Sequence, residues 1–390
     1  MREWIRYAKK ICMRVILFPL RIMPIKQNCI LLVNDLSYNY SDSPKYIAES
    51  LLAAYPNRFF LAFAIKKGTD AEAFRDRGMK TVAFNSPAYF YYAMRAAVFV
   101  TNNGGYSYLP LRKKQLVINT WHGAAYKRDG LASLDSKIFR RDLALSAKPL
   151  DYFLVGNHAS AIAMASSHAI PEEKFWEIGM PRNDILLRNE PQLRQRIREK
   201  LGIRSTEKLV LFAPTFRRLN GEYLARQVAI DYRLDHVAVC EALQERFGGV
   251  WRMGVRLHPR VKPDTINGEN ALNLSDYEDM QELLLAADVL ITDFSSSMWD
   301  FSLTGKPCFL YAPDLYEYLN TTGVYIPAEQ WPFSKASSND ELIHNILAFD
   351  EVKYADDVKR HHEILGICET GEAGEKVLEL ICRTYSGEEV

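Results

Sequence analysis

The feature that most constrains the fold is an alternation. Short runs rich in β-branched and aromatic residues recur along the chain, separated by longer stretches of helical character. Strands are expected at Cys29–Asp35, Phe59–Ile65, Lys80–Phe84, Ala97–Thr101, Gln115–Thr120, Asp151–Val155 and Lys174–Ile178. Several of these runs are apolar almost throughout, as required when both faces of a parallel sheet are covered. Helical stretches such as Pro44–Tyr55 and Ala71–Arg77 lie between them. Parallel neighbours need crossover connections, so the pattern implies βαβ units and an α/β class. A second strand set follows at Lys208–Ala213, Trp251–Leu257, Ala271–Leu274, Val289–Thr292 and Pro307–Tyr311. Between the sets, the charged segment Leu186–Leu209 reads as a solvated helix bridging two lobes.

A chain of 390 residues exceeds the size at which one core grows comfortably. The expected organisation is a surface segment over 1–26, an N-terminal Rossmann-like lobe over 27–185 and a C-terminal Rossmann-like lobe over 186–390 that includes the last helices. A cleft is expected between the lobes. No internal repeat is visible. The formal net charge of +1 gives no overall nucleic-acid footprint, so no nucleic-acid partner is expected. The six cysteines, Cys12, Cys29, Cys240, Cys308, Cys368 and Cys382, show neither a CxxC pair nor a metal-ligand spacing. They read as small buried hydrophobes in a reducing compartment.

The charge balance breaks at the N-terminus. The first 26 residues hold seven basic residues against one acid, a local charge of +6. At 3.6 residues per turn, Trp4, Ile5, Tyr7, Ala8, Ile11, Cys12, Val15, Ile16 and Phe18 share a face. Arg2, Arg6, Lys9 and Lys10 lie opposite, with Arg14 at the edge. Arg14 and Arg21 interrupt any run long enough to span a bilayer. The pattern suits a helix in the headgroup region with its cations toward anionic lipid. The same pattern also serves a helix packed on the protein's own body.

Ligands of open α/β sheets bind beyond the carboxyl ends of the strands, and polar motifs gather there in this sequence. Asn119-Thr120-Trp121-His122-Gly123 offers an imidazole for proton transfer beside a glycine that admits close approach. Gly179-Met180-Pro181-Arg182-Asn183-Asp184 offers an arginine that could grip phosphate or pair with Asp184. Ala213-Pro214-Thr215-Phe216-Arg217-Arg218 combines a hydroxyl, loop N–H groups and cations. Arg256-Leu257-His258-Pro259 puts a cation and an imidazole on one side of a strand. Asp293-Phe294-Ser295-Ser296-Ser297 follows an apolar strand and opens a helix carrying Asp300, an arrangement suited to an anion or a sugar hydroxyl. The P-loop, GxGxxG, GxSxG and zinc patterns are absent. Tandem His361-His362 reads as part of a solvated helix face.

Taken together, Trp121-His122-Gly123 with Lys127, Gly179-x-Pro181-Arg182-Asn183-Asp184, Pro214-Thr215-x-Arg217, Arg256-x-His258-Pro259 and Asp293-x-Ser295-Ser296 resemble the CDP-glycerol glycerophosphotransferase family of teichoic-acid primases and polymerases. The chain departs from the family pattern at Ala124-Ala125, where many members carry Thr-Pro, and at Phe294, where Tyr is common. The resemblance implies a GT-B-like fold with the donor in the cleft and a peripheral attachment to the cytoplasmic face of the membrane. It implies His122 and His258 as essential histidines. It implies donor contacts from Trp121, Gly123, Ala124, Ala125, Tyr126, Arg182, Pro214, Thr215, Arg217, Arg256, Asp293, Ser295, Ser296 and Asp300. The expected reaction moves an alditol phosphate, such as glycerol phosphate, from a CDP-alditol to a lipid-linked polymer and releases CMP. His122 is expected as base, with Asp293 or a backbone group orienting it; the two histidine roles are exchangeable at this level. No metal or other cofactor is expected. A nucleotide-sugar glycosyltransferase and an inactive membrane-bound scaffold share the fold and are the alternatives.

Overall fold

The computed structural model describes residues 2–34, 39–69, 71–188, 190–215, 218–219, 222–223, 234–257 and 271–386. It divides into two compact units. The first comprises Met1–Asp184 together with Leu365–Val390, and the second comprises Ile185–Ile364.

The first unit is built on a seven-stranded sheet: β1 (Lys26–Val33), β2 (Phe60–Ile65), β3 (Lys80–Ala83), β4 (Ala96–Thr101), β5 (Leu116–Asn119), β6 (Tyr152–Val155) and β7 (Phe175–Glu177). Its spatial order is β3-β2-β1-β4-β5-β6-β7, and every pairing is parallel. Alternation along β1 sends Cys29, Leu31 and Val33 into one core layer and Ile30 and Leu32 into the other. Both layers are covered, which explains the uninterrupted apolar run Cys29–Val33 after the exposed Lys26 and Gln27. The expected end of this strand, Asp35, lies outside the described residues.

Helix α1 (Arg2–Leu17) carries Glu3 in its first turn and Arg14 in its last, the charge order that suits a helix dipole. It ends in a 3-10 turn, Phe18–Ile22, containing Pro19. Its inner side is fixed to the first unit. Lys10 pairs with Asp142, Arg14 donates to the carbonyls of Ser107 and Leu109, Glu3 accepts from Ser136, and Leu17 is buried. Lys10 and Arg14 are thus engaged with the protein body, not displayed with Arg6 and Lys9. The outer side exposes Trp4, Ile5, Val15 and Ile16, continued by Phe18 and Ile22.

The second unit holds β8 (Glu207–Phe212), a hairpin pair β9 (Arg218–Leu219) and β10 (Glu222–Tyr223), then β11 (Val250–Val255), β12 (Leu272–Asn273), β13 (Val289–Thr292), β14 (Cys308–Tyr311) and β15 (Ser334–Ala336). Its main sheet runs β12-β11-β8-β13-β14-β15, again with parallel pairings. The charged linker forms a helix over Pro191–Lys200 that is not wholly solvated: Ile197 and Arg198 are buried, and Arg198 binds Asp288.

Residues 365–390, expected in the C-terminal lobe, belong to the first unit. The reason is apolar burial on a foreign sheet. Val377, Leu380 and Ile381 of the last helix, Ala373–Ser386, enter the core layer that contains Ile30, Leu32, Ile47 and Leu51. Asp184 accepts from the N–H groups of Ala373 and Gly374 and so caps that helix.

Candidate active site

Each sheet has one place where the strand order reverses, and ligands of such sheets bind outside the carboxyl ends there. In the first unit that place lies between β1 and β4. Asn34 follows β1 and Asn102 follows β4, and the Asn102 amide donates to Asn34 Oδ1 at 2.8 Å. In the second unit it lies between β8 and β13. There the Thr215 N–H and hydroxyl both donate to Asp293, the hydroxyl at 2.7 Å. A polar pair therefore bridges the switch point of each sheet, buried in the first and partly exposed at Thr215 in the second.

His122 stands on the loop leaving β5. Trp121, just before it, adopts a left-handed backbone at φ +50°, a genuine outlier for a bulky side chain. The Trp121 N–H is held by Asn119 Oδ1 at 2.9 Å, and its indole stacks on the imidazole with centroids 4.3 Å apart. Gly123 has φ +146°, which supplies the second bend of the loop. Ala125 is anchored through its N–H to Ser160 Oγ, and Tyr126 is buried.

The His122 ring makes one decisive contact. Nδ1 lies 2.9 Å from the Asn102 carbonyl oxygen. A carbonyl only accepts, so the neutral ring carries its proton on Nδ1 and its lone pair on Nε2. Burial pushes the imidazole below its ordinary pKa and Arg182 adds to the lowering, while the Asn102 carbonyl and the Asp42 and Asp129 carboxylates oppose it. At neutral pH the ring is an unprotonated base. The orienting group is thus the backbone of Asn102. Asp293 is occupied within the second unit: its carboxylate accepts from Thr215 and from the Phe294 N–H.

Arg182 stands next to this loop. Its side chain is buried, donates to the His122 carbonyl at 2.7 Å and faces Asp42 at 3.5 Å. The turn that carries it is fastened by Glu369, which accepts from the Met180 N–H and the Asn183 amide. Glu369 fits because Gly156 and Gly179 leave it room; a Cβ at either position would come within 2.2 Å or 2.6 Å of its oxygens.

In the second unit, Pro214, Thr215, Arg256, Ser295 and Ser296 are all partly exposed at the carboxyl ends of β8, β11 and β13. The Arg256 guanidinium donates to the Tyr277 and Glu278 carbonyls at 3.2 and 3.4 Å. Ser295 accepts from the Ser297 hydroxyl at 2.8 Å at the start of the short helix Ser297–Ser302. Asp300 is buried and accepts from Gln281 at 3.0 Å. His258 and Arg217 lie outside the described residues.

His361 and His362 are not on a solvated face. His361 is 2% exposed and stacks on Trp299 with centroids 4.9 Å apart. His362 Nε2 lies 2.8 Å from Ser302 Oγ. Both therefore back the helix that Ser295 and Ser296 lead into. Burial, then the neighbouring His362, pushes the His361 imidazole down to about 4. Asn34, Asn102, Asp42, Gln281 and Glu369 were not singled out from sequence. The rule that polar residues closing apolar strands mark the site reaches Asn34 and Asn102, which close β1 and β4. Among the described residues no three His, Cys, Asp or Glu side chains are grouped to hold a metal ion.

Known proteins agree with this architecture. A solved structure of the wall teichoic acid polymerase TagF, a variant soaked with CDPG, matches with a TM-score of 0.81 and 25% identity over 99% of this chain and 98% of that one. A teichoic acid poly(glycerol phosphate) polymerase of Staphylococcus epidermidis is 32% identical over 297 residues, 72% of this chain but only 39% of the relative. A teichoic acid glycerol-phosphate transferase of Staphylococcus aureus is 26% identical over 357 residues, covering 88% of this chain and 90% of the relative. The fold is accordingly α/β and GT-B-like. The model of the CDP-glycerol:poly(glycerophosphate) glycerophosphotransferases matches residues 16–383, and the chain belongs to that family.

Proposed function

We propose that this chain transfers an alditol phosphate, glycerol phosphate first among candidates, from a CDP-activated donor to a hydroxyl of a membrane-linked cell-envelope polymer. The observation that carries the proposal is the His122 ring, held by the Asn102 carbonyl with its Nε2 lone pair available at the switch point of the first sheet. Nε2 takes the acceptor's hydroxyl proton as the oxygen bonds to the donor's β-phosphorus. The pyrophosphate P–O bond breaks and CMP leaves with its electron pair. Such chemistry depends mainly on positioning and on stabilising the charge that develops. Arg256 with His258 takes the charge on the phosphoryl oxygens or on departing CMP. Pro214, Thr215, Arg217, Ser295 and Ser296 hold the donor, and Asp300 helps shape its seat from behind. No resident cofactor is part of this scheme.

The membrane role follows from α1. No helix among the described residues is long and apolar enough to cross a membrane. The outer face of α1 instead presents Trp4, Ile5, Val15, Ile16 and Phe18 beside exposed Arg6 and Lys9. This combination suits a helix lying in an anionic lipid surface, which supports a peripheral attachment at the cytoplasmic face.

Incubation with a panel of CDP-alditols and a lipid-linked acceptor, following CMP release, tests the reaction. The expected result is acceptor-dependent CMP release that falls ~10²–10⁴-fold in His122→Ala, the usual contribution of a positioned base. Wild-type turnover in that variant removes the base assignment. Release of a nucleoside diphosphate from a nucleotide sugar, with no CMP from any CDP-alditol, replaces the reading with glycosyl transfer.

A further inference from the structure

The contacts around His122 close into a ring. The His122 imidazole meets the Asn102 carbonyl at 2.9 Å. The Asn102 side-chain amide donates to Asn34 at 2.8 Å and to Asp42 Oδ2 at 2.9 Å. That same Asp42 oxygen faces Arg182 Nη1 at 3.5 Å, and Arg182 Nη1 donates to the His122 carbonyl at 2.7 Å. The histidine is therefore gripped twice, by its ring and by its backbone, and Asp42 is common to both grips.

Asp42 pays an unusual conformational cost to stand there. It opens α2 (Asp42–Ala54) with φ +61°, in the left-handed region that side chains seldom adopt. Its other oxygen accepts from the Ser43 N–H. Asp42 is buried, as are Asn34, Asn102 and Arg182. A strained, buried carboxylate persists only where its surroundings fix it, and such sites gather at functional centres. The sequence pattern gave no hint of it, because Asp42 looks like an ordinary first-turn acid of a helix.

We propose that Asp42 is the positioning residue of His122: acting through Asn102 and Arg182, it fixes ring and backbone together and supplies the negative charge against which the imidazolium forms. The proposal rests on His122 being the base. It differs from a directly bonded aspartate and histidine in one respect. Here a peptide carbonyl contacts the ring and the carboxylate acts from behind it, so the tautomer is fixed by a neutral group while the charge is held in reserve. Arg182 is the counterweight, limiting how far Asp42 raises the histidine. Among the described residues, the other titratable groups near the ring include Asp129, and His168, whose ring packs edge-on against Trp121 at 5.1 Å. Neither belongs to the closed ring of contacts.

The test uses two substitutions of opposite sign in the full chain. Asp42→Asn keeps the shape, and asparagine tolerates a positive φ. It removes the charge that raises His122 and leaves Arg182 unopposed, so the acid limb of kcat/KM moves to lower pH. The maximal kcat falls roughly ten-fold, the loss expected when a charge-assisted contact is removed, while donor KM is unchanged. Arg182→Gln removes the opposing cation and moves the acid limb to higher pH. Titration of ¹⁵N-labelled histidine reads the His122 ring directly, with His122→Gln assigning its signal. The expected result is a midpoint that moves down in Asp42→Asn and up in Arg182→Gln, with Nδ1 the protonated nitrogen in the native chain. Unchanged midpoints in both variants overturn the role of Asp42, whatever happens to activity. Midpoints that move as expected while kcat and its pH profile stay native support the Asp42 role and overturn instead the assignment of His122 as base. A fold defect in Asp42→Asn leaves Arg182→Gln to decide.

Discussion

Replacing Trp4, Ile16 and Phe18 with serine together should detach the protein from lipid without disturbing its fold. These side chains are 59%, 67% and 56% exposed, so the substitutions remove nearly two whole side chains of apolar surface that touch no protein. Fully burying such a side chain is worth ~1.5–3 kcal/mol. A helix lying in the interface sinks only part of that surface, and half of the total is ~2 kcal/mol, a ~30-fold change in partitioning. Arg6 and Lys9 are worth ~1 kcal/mol each near an anionic surface, so the two contributions are similar at low salt. Salt separates them, because screening weakens the cations and leaves the apolar term. Sedimentation with anionic and neutral vesicles, at low and high salt, reads both. The triple serine variant should lose binding under every condition. Arg6→Glu with Lys9→Glu should lose it mainly on anionic vesicles at low salt. Lys10→Glu and Arg14→Glu should instead lower the melting temperature, since those cations hold α1 to Asp142, Ser107 and Leu109. Native sedimentation of the triple serine variant at both salt levels would refute the reasoning.

Arg256→Ala should weaken CDP-glycerol binding by the ~1.5–3 kcal/mol of a charge-assisted bond, and Ser295→Ala by ~1 kcal/mol; calorimetry that finds Arg256→Ala neutral would make that arginine a clamp on the 277–278 loop alone. His361→Ala should impair both stability and donor affinity, because it empties a ring-sized space behind Trp299; a cavity of that kind costs a few kcal/mol, and native melting and binding in the variant would discount it. The native protein should lose stability through His361 as pH falls. Its folded pKa lies below the unfolded value, so the unfolded chain takes the proton first, and the loss begins near 6.5 and is complete near 4. Thermal melting across that range, native against His361→Ala, measures it: the variant should show the shallower decline.

Most of the two sheets was legible because the central strands are apolar on both faces, and the loops that end them carry the polar residues that a strand interior rejects; the edge strand β15, Ser-Lys-Ala, has no apolar run and gave no signal. His122, Arg182 and the Asp293–Ser296 segment were visible on that ground. Their partners were harder to see. Asp42 reads as an ordinary helix-opening acid, and only the backbone geometry reveals it as strained. Asn102 acts on the histidine through its peptide carbonyl, a group every residue possesses, so its type carries no signal for that contact. Asp293 or a backbone group is expected to orient His122, and it is the Asn102 carbonyl that meets the ring; Asp293 accepts from the adjacent Phe294 N–H and from Thr215, which lies close only after β8 and β13 pair. His361 and His362 sit among charges in the sequence and look solvated. Their burial comes from Trp299 and Ser302, some sixty residues away, and local periodicity does not encode that packing.

The return of residues 365–386 to the first unit has a consequence for how the protein is made. A ribosome releases the first sheet long before it releases the helix that finishes one of its faces. Through all of the second unit's synthesis, Ile30, Leu32, Ile47 and Leu51 lack the cover of Val377, Leu380 and Ile381. During the same interval the turn bearing Arg182 lacks Glu369, and Asp184 lacks the helix end it caps. The segment that holds His122 by its backbone is thus among the last parts of the molecule to be secured. The final helix acts as a latch, making the first unit's completion wait on the arrival of the far end of the second.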